Sequence, residues 1–176
     1  QVLDKGEAWM DYSRKHREYE NQTGPVRRGV GCALFWYNTA VWPISLESCS
    51  CRMVLNQDGS IQLQTGETEI GQGCDTAFAQ MAADAVGIPV SDVHVVTAQD
   101  TDVTPFGTGA YASRQTYVGG FAIAQTGALL KERILKYACE LTRQMPALLD
   151  IVDGRIIRRT DGRVLMTPGE LATEAL

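Results

Sequence analysis

The chain is poor in the residues that most often do chemistry. Only two of its 176 residues are histidines, His16 and His94, so a Ser–His–Asp or Cys–His nucleophile has almost no base to draw on. His16 lies in a polar helical stretch, His94 stands between Val93 and Val95, and no Gly-x-Ser-x-Gly elbow occurs. No apolar stretch approaches the roughly 20 residues of a membrane-spanning helix, and no charged-then-apolar leader opens the sequence. Clusters of positive charge are missing as well. Sixteen basic against twenty-one acidic residues leave a net charge of −5, and no run of Lys or Arg exceeds two. A surface for nucleic acid or anionic lipid is therefore not expected.

What is present suits a folded core. The sequence is 44% hydrophobic and 21% charged, which excludes long disorder. Its five cysteines (Cys32, Cys49, Cys51, Cys74 and Cys139) are odd in number, scattered and mostly in apolar runs, a usage that fits a reducing cytoplasm. Cys49 and Cys51 would share one face of a strand, and with so few other ligands at hand they read as small buried hydrophobes.

Period-two alternation from Cys49 to Leu55, a turn at Gln57-Asp58-Gly59, and alternation again through Ile61 and Leu63 predict a β-hairpin. Phe78, Met81, Ala82, Ala85 and Val86 keep the spacing of a core-facing helix, with Asp75 as its expected N-cap and Gly87 and Pro89 as its stop. A strand is expected at Val93–Val96. A long helix is expected beyond residue 120, with Ile123, Gly127, Leu130, Ile134, Tyr137 and Leu141 on one stripe. Residues 3–21 read as one helix with Trp9, Tyr12 and Tyr19 as core contacts, and Val30–Tyr37 as a buried strand. Short strands around Ile156 and Val164 precede a last helix opened by Thr167-Pro168-Gly169-Glu170. The expected fold is α/β (α+β): a mixed sheet with a β-hairpin and two long helices packed on it. Residues 1–176 are expected to form a single partial domain, truncated at both ends, since the chain opens on Gln1 and stops as a helix begins.

Two loops rise above that background. Gly71-Gln72-Gly73 precedes a helix, where free N–H groups and the helix dipole favour an anion, and Gln72 adds an amide that both donates and accepts. The same glycines also suit a plain tight turn. Gly107-Thr108-Gly109-Ala110-Tyr111-Ala112-Ser113-Arg114-Gln115-Thr116 brings several donors to the start of the long helix, or else is a surface loop capped by Ser113. Glu67 and Glu69 read as exposed loop carboxylates that point away from any anion seat.

The run Gly66-Glu67-Thr68-Glu69-Ile70-Gly71-Gln72-Gly73, with Thr76 and Gln80, resembles the molybdenum-binding subunit of the xanthine dehydrogenase and aldehyde oxidoreductase family. Pro105 to Gly120, centred on Ala112-Ser113-Arg114-Gln115, resembles the second cofactor loop of that family, and Gly29 to Asn38 its strand ahead of the hairpin. The likeness spans roughly residues 10 to 140. It implies part of a molybdopterin-binding domain, in a xanthine dehydrogenase that hydroxylates purines with water as oxygen source. Molybdenum is then held by the sulfurs of a pyranopterin, so no residue of this chain is a metal ligand. The resemblance assigns Gln72 and Gly73 to the cofactor's ligand sphere or pterin, and Ala112, Ser113 and Gln115 to the loop lining the pterin and its phosphate end. It also implies as partners the remainder of the same subunit, iron–sulfur and flavin modules, and a purine or aldehyde substrate.

The family's Gly-x-Gly-Glu loop, which carries the general base, has no match here, because Gly169-Glu170 follows Pro168 and opens a helix. No catalytic residue is thus assigned. The isolated chain is expected to be inactive and to hold its cofactor weakly or not at all, as the middle of a longer subunit would. Two alternatives stay open: an aldehyde or carbon monoxide substrate within the family, or a stand-alone non-catalytic module for a small anion.

Overall fold

The structure is a computed structural model that describes residues 1–41, 43 and 47–175. It forms two compact units, residues 1–37 and the remainder from Asn38.

The first unit departs from expectation. Helices α1 (Val2–Met10) and α2 (Tyr12–Glu20) replace one continuous helix, because Asp11 takes a left-handed conformation (φ 51°, ψ 46°) that ends the first and starts the second. Asp is among the few residues that visit this region readily. Trp9 is 86% exposed, so the aromatic stripe is not core. Residues 30–37 form no strand, and Leu34, Phe35, Trp36 and Tyr37 face solvent. A buried strand needs a partner on each open edge, and none of the described strands pairs with this run.

The second unit holds the predicted hairpin. Strands β1 (Cys51–Leu55) and β2 (Ile61–Thr65) pair antiparallel, and β2 pairs parallel with β3 (Val93–Val95). A parallel pair needs a crossover, here helix α3 (Cys74–Val86). Gly73 caps α3 in the left-handed region, and Asp75 falls inside the first turn instead of capping it. A π-helical turn (Gln115–Gly119) leads into helix α4 (Gly120–Thr142). Gly127 lets α4 approach α3 closely, since a Cβ there would lie 2.6 Å from that of Ala85.

Beside the mixed sheet stands a second, antiparallel one: β4 (Leu149–Val152), β5 (Arg155–Arg158) and β6 (Val164–Met166). Asp153 and Gly154, both at positive φ, make the two-residue turn between β4 and β5. Helix α5 (Pro168–Glu174) follows, opened as expected at Thr167–Glu170, where the two side chains form a capping box. Ile61, Leu63, Phe78, Val86, Ile123, Ile134, Leu149, Ile151 and Ile156 belong to one buried cluster. Each such side chain contributes about 1.5–3 kcal/mol by leaving water. The two sheets thus share one core through α3 and α4, and the α/β class stands with two small sheets in place of one.

Candidate functional site

The ends of β2 and the loop before α4 are locked together by backbone. Ser50 donates to Phe106 O (2.8 Å), Gly66 N to Ser50 O (3.1 Å), and Cys49 and Gly107 form an isolated bridge. A Cβ on Gly66 would lie 2.3 Å from Gly107 N, and one on Gly107 would lie 2.3 Å from Gly66 O. Only glycine at both positions permits this approach. The contact brings the two loops singled out from the sequence to one place.

There Gln72 and Gln115 meet. The Gln72 Nε2 donates to Gln115 Oε1 and to Thr68 O (3.1 Å), its Oε1 accepts from Ile70 N (2.6 Å), and Gln115 Nε2 also donates to Thr68 O (2.8 Å). A carboxamide has two donor hydrogens and two acceptor lone pairs. The pair therefore keeps one Gln115 N–H and one lone pair on each amide oxygen for a ligand. Gln72 is exposed and Gln115 buried, so the pair sits at the protein boundary.

Ala112 and Ser113 stand three and two residues before Gln115, both left-handed at φ 47° and 52°. Consecutive non-glycine residues in this region are strained, at about 1–3 kcal/mol each, and such strain concentrates at ligand clamps. Ala112 is buried and its carbonyl accepts from Ala40 N (2.7 Å), while Ser113 is exposed and caps no helix.

The anion seat at Gly71-Gln72-Gly73 is filled by the chain itself. Glu69 accepts from Gly71 N (2.7 Å), Gly73 N (3.0 Å) and Asp75 N (3.3 Å). It is exposed, yet it points into the seat rather than away. The Gly73 N–H, then those of Gly71 and Asp75, hold its carboxyl down at about 2. The folded chain binds this proton less tightly than the unfolded one, for which 4.5 is the ordinary value. Its stabilisation is thus complete above about 4.5 and is lost as pH falls toward about 2. Glu69→Gln should accordingly cost stability at neutral pH, with the gap to the parent chain narrowing as pH falls from about 4.5 toward about 2 in urea denaturation.

Glu67 overturns its expectation. It is 1% exposed, and its Oε1 accepts from Arg114 Nη1 at 2.7 Å. Arg114, fully buried, also donates through Nε to Glu47 (2.7 Å), through Nη1 to Gly109 O (2.8 Å) and through Nη2 to Ser48 O (2.6 Å). The Tyr111 ring lies 5.5 Å from its Cζ. Its donors, which the sequence suggested for a ligand, all face inward. Arg114, with the Val41 N–H, holds the Glu47 carboxyl below the usual range. No local pattern marks this cluster, because Glu47 and Glu67 are 67 and 47 residues away.

The donor set suits an organic ligand better than a bare ion. Amides, a hydroxyl and backbone N–H groups can hold a nitrogen- and oxygen-rich ring system with an anionic tail. The nearest approach to a metal cluster among the described residues is Glu69, Cys74 and Asp75. Burial pushes the Cys74 thiol up to about 12, and Glu69 is committed to three N–H groups, so neither is poised as a ligand.

Residues 5–176 match the family model of the molybdopterin cofactor-binding domain. The chain belongs to this family. It is 46% identical over 157 residues to the xanthine dehydrogenase molybdenum-binding subunit of Escherichia coli O157:H7, covering 89% of this chain and 21% of that one. It is 32% identical over 175 residues to the carbon monoxide dehydrogenase large chain of Hydrogenophaga pseudoflava, covering 96% of this chain and again 21% of the relative. The chain thus spans about a fifth of the length of these relatives. Among solved structures, quinoline 2-oxidoreductase from Pseudomonas putida 86 superposes with a TM-score of 0.64 at 30% identity, over 72% of this chain and 16% of that one. The resemblance read from the two loops is a true family membership, and molybdenum–molybdopterin is the cofactor of the group. This domain is related to molybdenum-dependent oxidoreductases, and no helix among its described residues is long and apolar enough to cross a membrane.

Proposed function

We propose that this chain supplies part of the pterin-binding wall of a molybdenum hydroxylase acting on purines, with Gln72, Gly73, Ala112, Ser113 and Gln115 as the cofactor-binding residues. The single observation that carries this reading is the meeting of Gln72 and Gln115 across two loops 43 residues apart in sequence. When bound, the cofactor supplies the redox-active molybdenum at which a carbon centre is hydroxylated with oxygen from water. The residues of this chain bind and orient. The spare Gln115 N–H donates to a ring acceptor, the spare Gln72 lone pair accepts from a ring N–H, and the Ala112–Ser113 turn presents the Ser113 hydroxyl to the anionic tail. Gly73 shapes the loop through its left-handed backbone, since its own N–H is given to Glu69.

Purines are favoured over carbon monoxide because similarity to the xanthine dehydrogenase subunit, at 46%, exceeds that to the carbon monoxide enzyme, at 32%. The partners on this reading are the remainder of the same subunit and iron–sulfur and flavin modules, in the cytoplasm. With no base assigned, the chain alone should oxidise no xanthine, and turnover by the purified chain would contradict that. A titration with molybdopterin, followed anaerobically by the pterin absorbance, should show weak binding that Gln115→Ala reduces at least tenfold. Equal affinity in the parent chain and in Gln115→Ala would count against the assignment.

A further inference from the structure

Arg114 lies between the two residues of its loop that matter most and touches neither solvent nor the site. Its guanidinium ties together the segment ahead of β1 (Glu47, Ser48), the end of β2 (Glu67) and its own loop (Gly109). Immediately before it stand two left-handed residues, and left-handed non-glycine backbone persists only where the surroundings over-determine it. Immediately after it stands Gln115. Glu67 is held through one oxygen: its Oε2 is buried without a hydrogen-bond partner among the described residues, and glycine at 119 leaves room for its Cγ, which lies 2.9 Å from where a Cβ there would be.

We propose that Arg114 is a positioning residue for the cofactor, whose fork holds the Ala112–Ser113 turn and the Gln115 amide at the separation from Gln72 that a bound pterin requires. This inference rests on the reading of the two loops as a pterin wall. It assigns the effect to the shape of the fork and not to charge or filled volume. Lysine keeps the charge but offers one compact donor group, which cannot reach Glu47, Glu67, Ser48 and Gly109 together.

The test compares the parent chain with Arg114→Lys, Glu47→Gln and Ile151→Val by nitrogen-15 NMR, without ligand and then with molybdopterin. Ile151 is a core residue of the second sheet, so Ile151→Val lowers stability away from the loops. In Arg114→Lys the side-chain amide signals of Gln72 and Gln115 should move to solvent-like positions and exchange with water at least tenfold faster, and molybdopterin affinity should fall at least tenfold. Glu47→Gln should do the same more weakly, and Ile151→Val should leave both readouts unchanged. Should Arg114→Lys fail to fold, Glu47→Gln carries the comparison, since Glu47 sits at the rim with its side chain 12% exposed. Unmoved Gln signals, or parental molybdopterin affinity in a folded Arg114→Lys, would overturn the proposal. So would losses in Ile151→Val as large as those in Arg114→Lys. If the parent chain binds no molybdopterin, as is expected of the middle of a longer subunit, only the affinity readout is lost. The ligand-free Gln signals then still decide whether the fork holds these amides in place.

Discussion

Replacing Arg114 by methionine should lower the stability of the chain by about 3–5 kcal/mol, the cost of breaking a buried ion pair from one side. Methionine fills much of the volume, so the loss is electrostatic and polar. Glu67, with its side chain fully buried, would lose its one charged partner, and the carbonyls of Gly109 and Ser48 would lose their donors. Removing that stranded charge should recover part of the loss. The double variant Arg114→Met/Glu67→Gln is expected to be more stable than Arg114→Met alone, a coupling that marks residues in direct contact. Urea denaturation at neutral pH measures both. The exposed pair Arg158–Asp161, at 29% and 46% side-chain exposure, is the natural contrast. Such pairs contribute about 0–1 kcal/mol, so Arg158→Met should fall in that range. A loss in Arg114→Met no larger than in Arg158→Met would mean that the buried cluster is not what joins these segments.

Gly66→Ala should cost about 1–3 kcal/mol, the range for forcing atoms into a filled space. The new Cβ would meet Gly107 N and Phe106 C at 2.3 Å and Pro105 O at 2.5 Å, all backbone, so no side chain can rotate out of its way. The loop itself has to retreat. Because that loop carries Gly109 O, Ala112, Ser113 and Gln115, its retreat should separate Gln115 from Gln72 and reduce molybdopterin affinity more than stability. Gly29→Ala is the control: a Cβ there meets nothing within 4 Å, and the substitution should be neutral in both respects. Equal behaviour of the two variants in denaturation and titration would contradict the close approach of β2 and the loop.

The regular elements of the second unit were legible where a local pattern carried them. Alternation about Asp58-Gly59 marks the hairpin, the apolar stripes mark α3 and α4, and Thr167 with Glu170 marks the last helix. The misreadings share a cause, which is that the deciding contact lies outside any local window. Val30–Tyr37 has the composition of a strand, but a strand exists only with a neighbour to bond. Strand β4 carries little pattern of its own and is defined by pairing with β5. Trp9 and Tyr12 are spaced as if to be buried, and the left-handed Asp11 between them breaks the helix.

The site divides in the same way. Glycine loops before helices pointed to Gln72 and Gln115, and the shared Thr68 carbonyl brings both amides to one spot. The sequence could not show that Glu69 fills the seat beside them, because a carboxylate two residues from a glycine turn reads equally well as repelled or as captured. Nor could it show that Arg114 turns inward, since that depends on two acids far away along the chain.

The central claim is that the Gln72 and Ser113 turns grip one molecule together. Nitrogen-15 NMR of the chain during titration with molybdopterin tests this most directly. The side-chain amides of Gln72 and Gln115 and the backbone amide of Ser113 should shift along one common binding curve, while signals from β4, β5 and β6 stay in place. Shifts confined to one of the two turns, or centred on the second sheet, would contradict it.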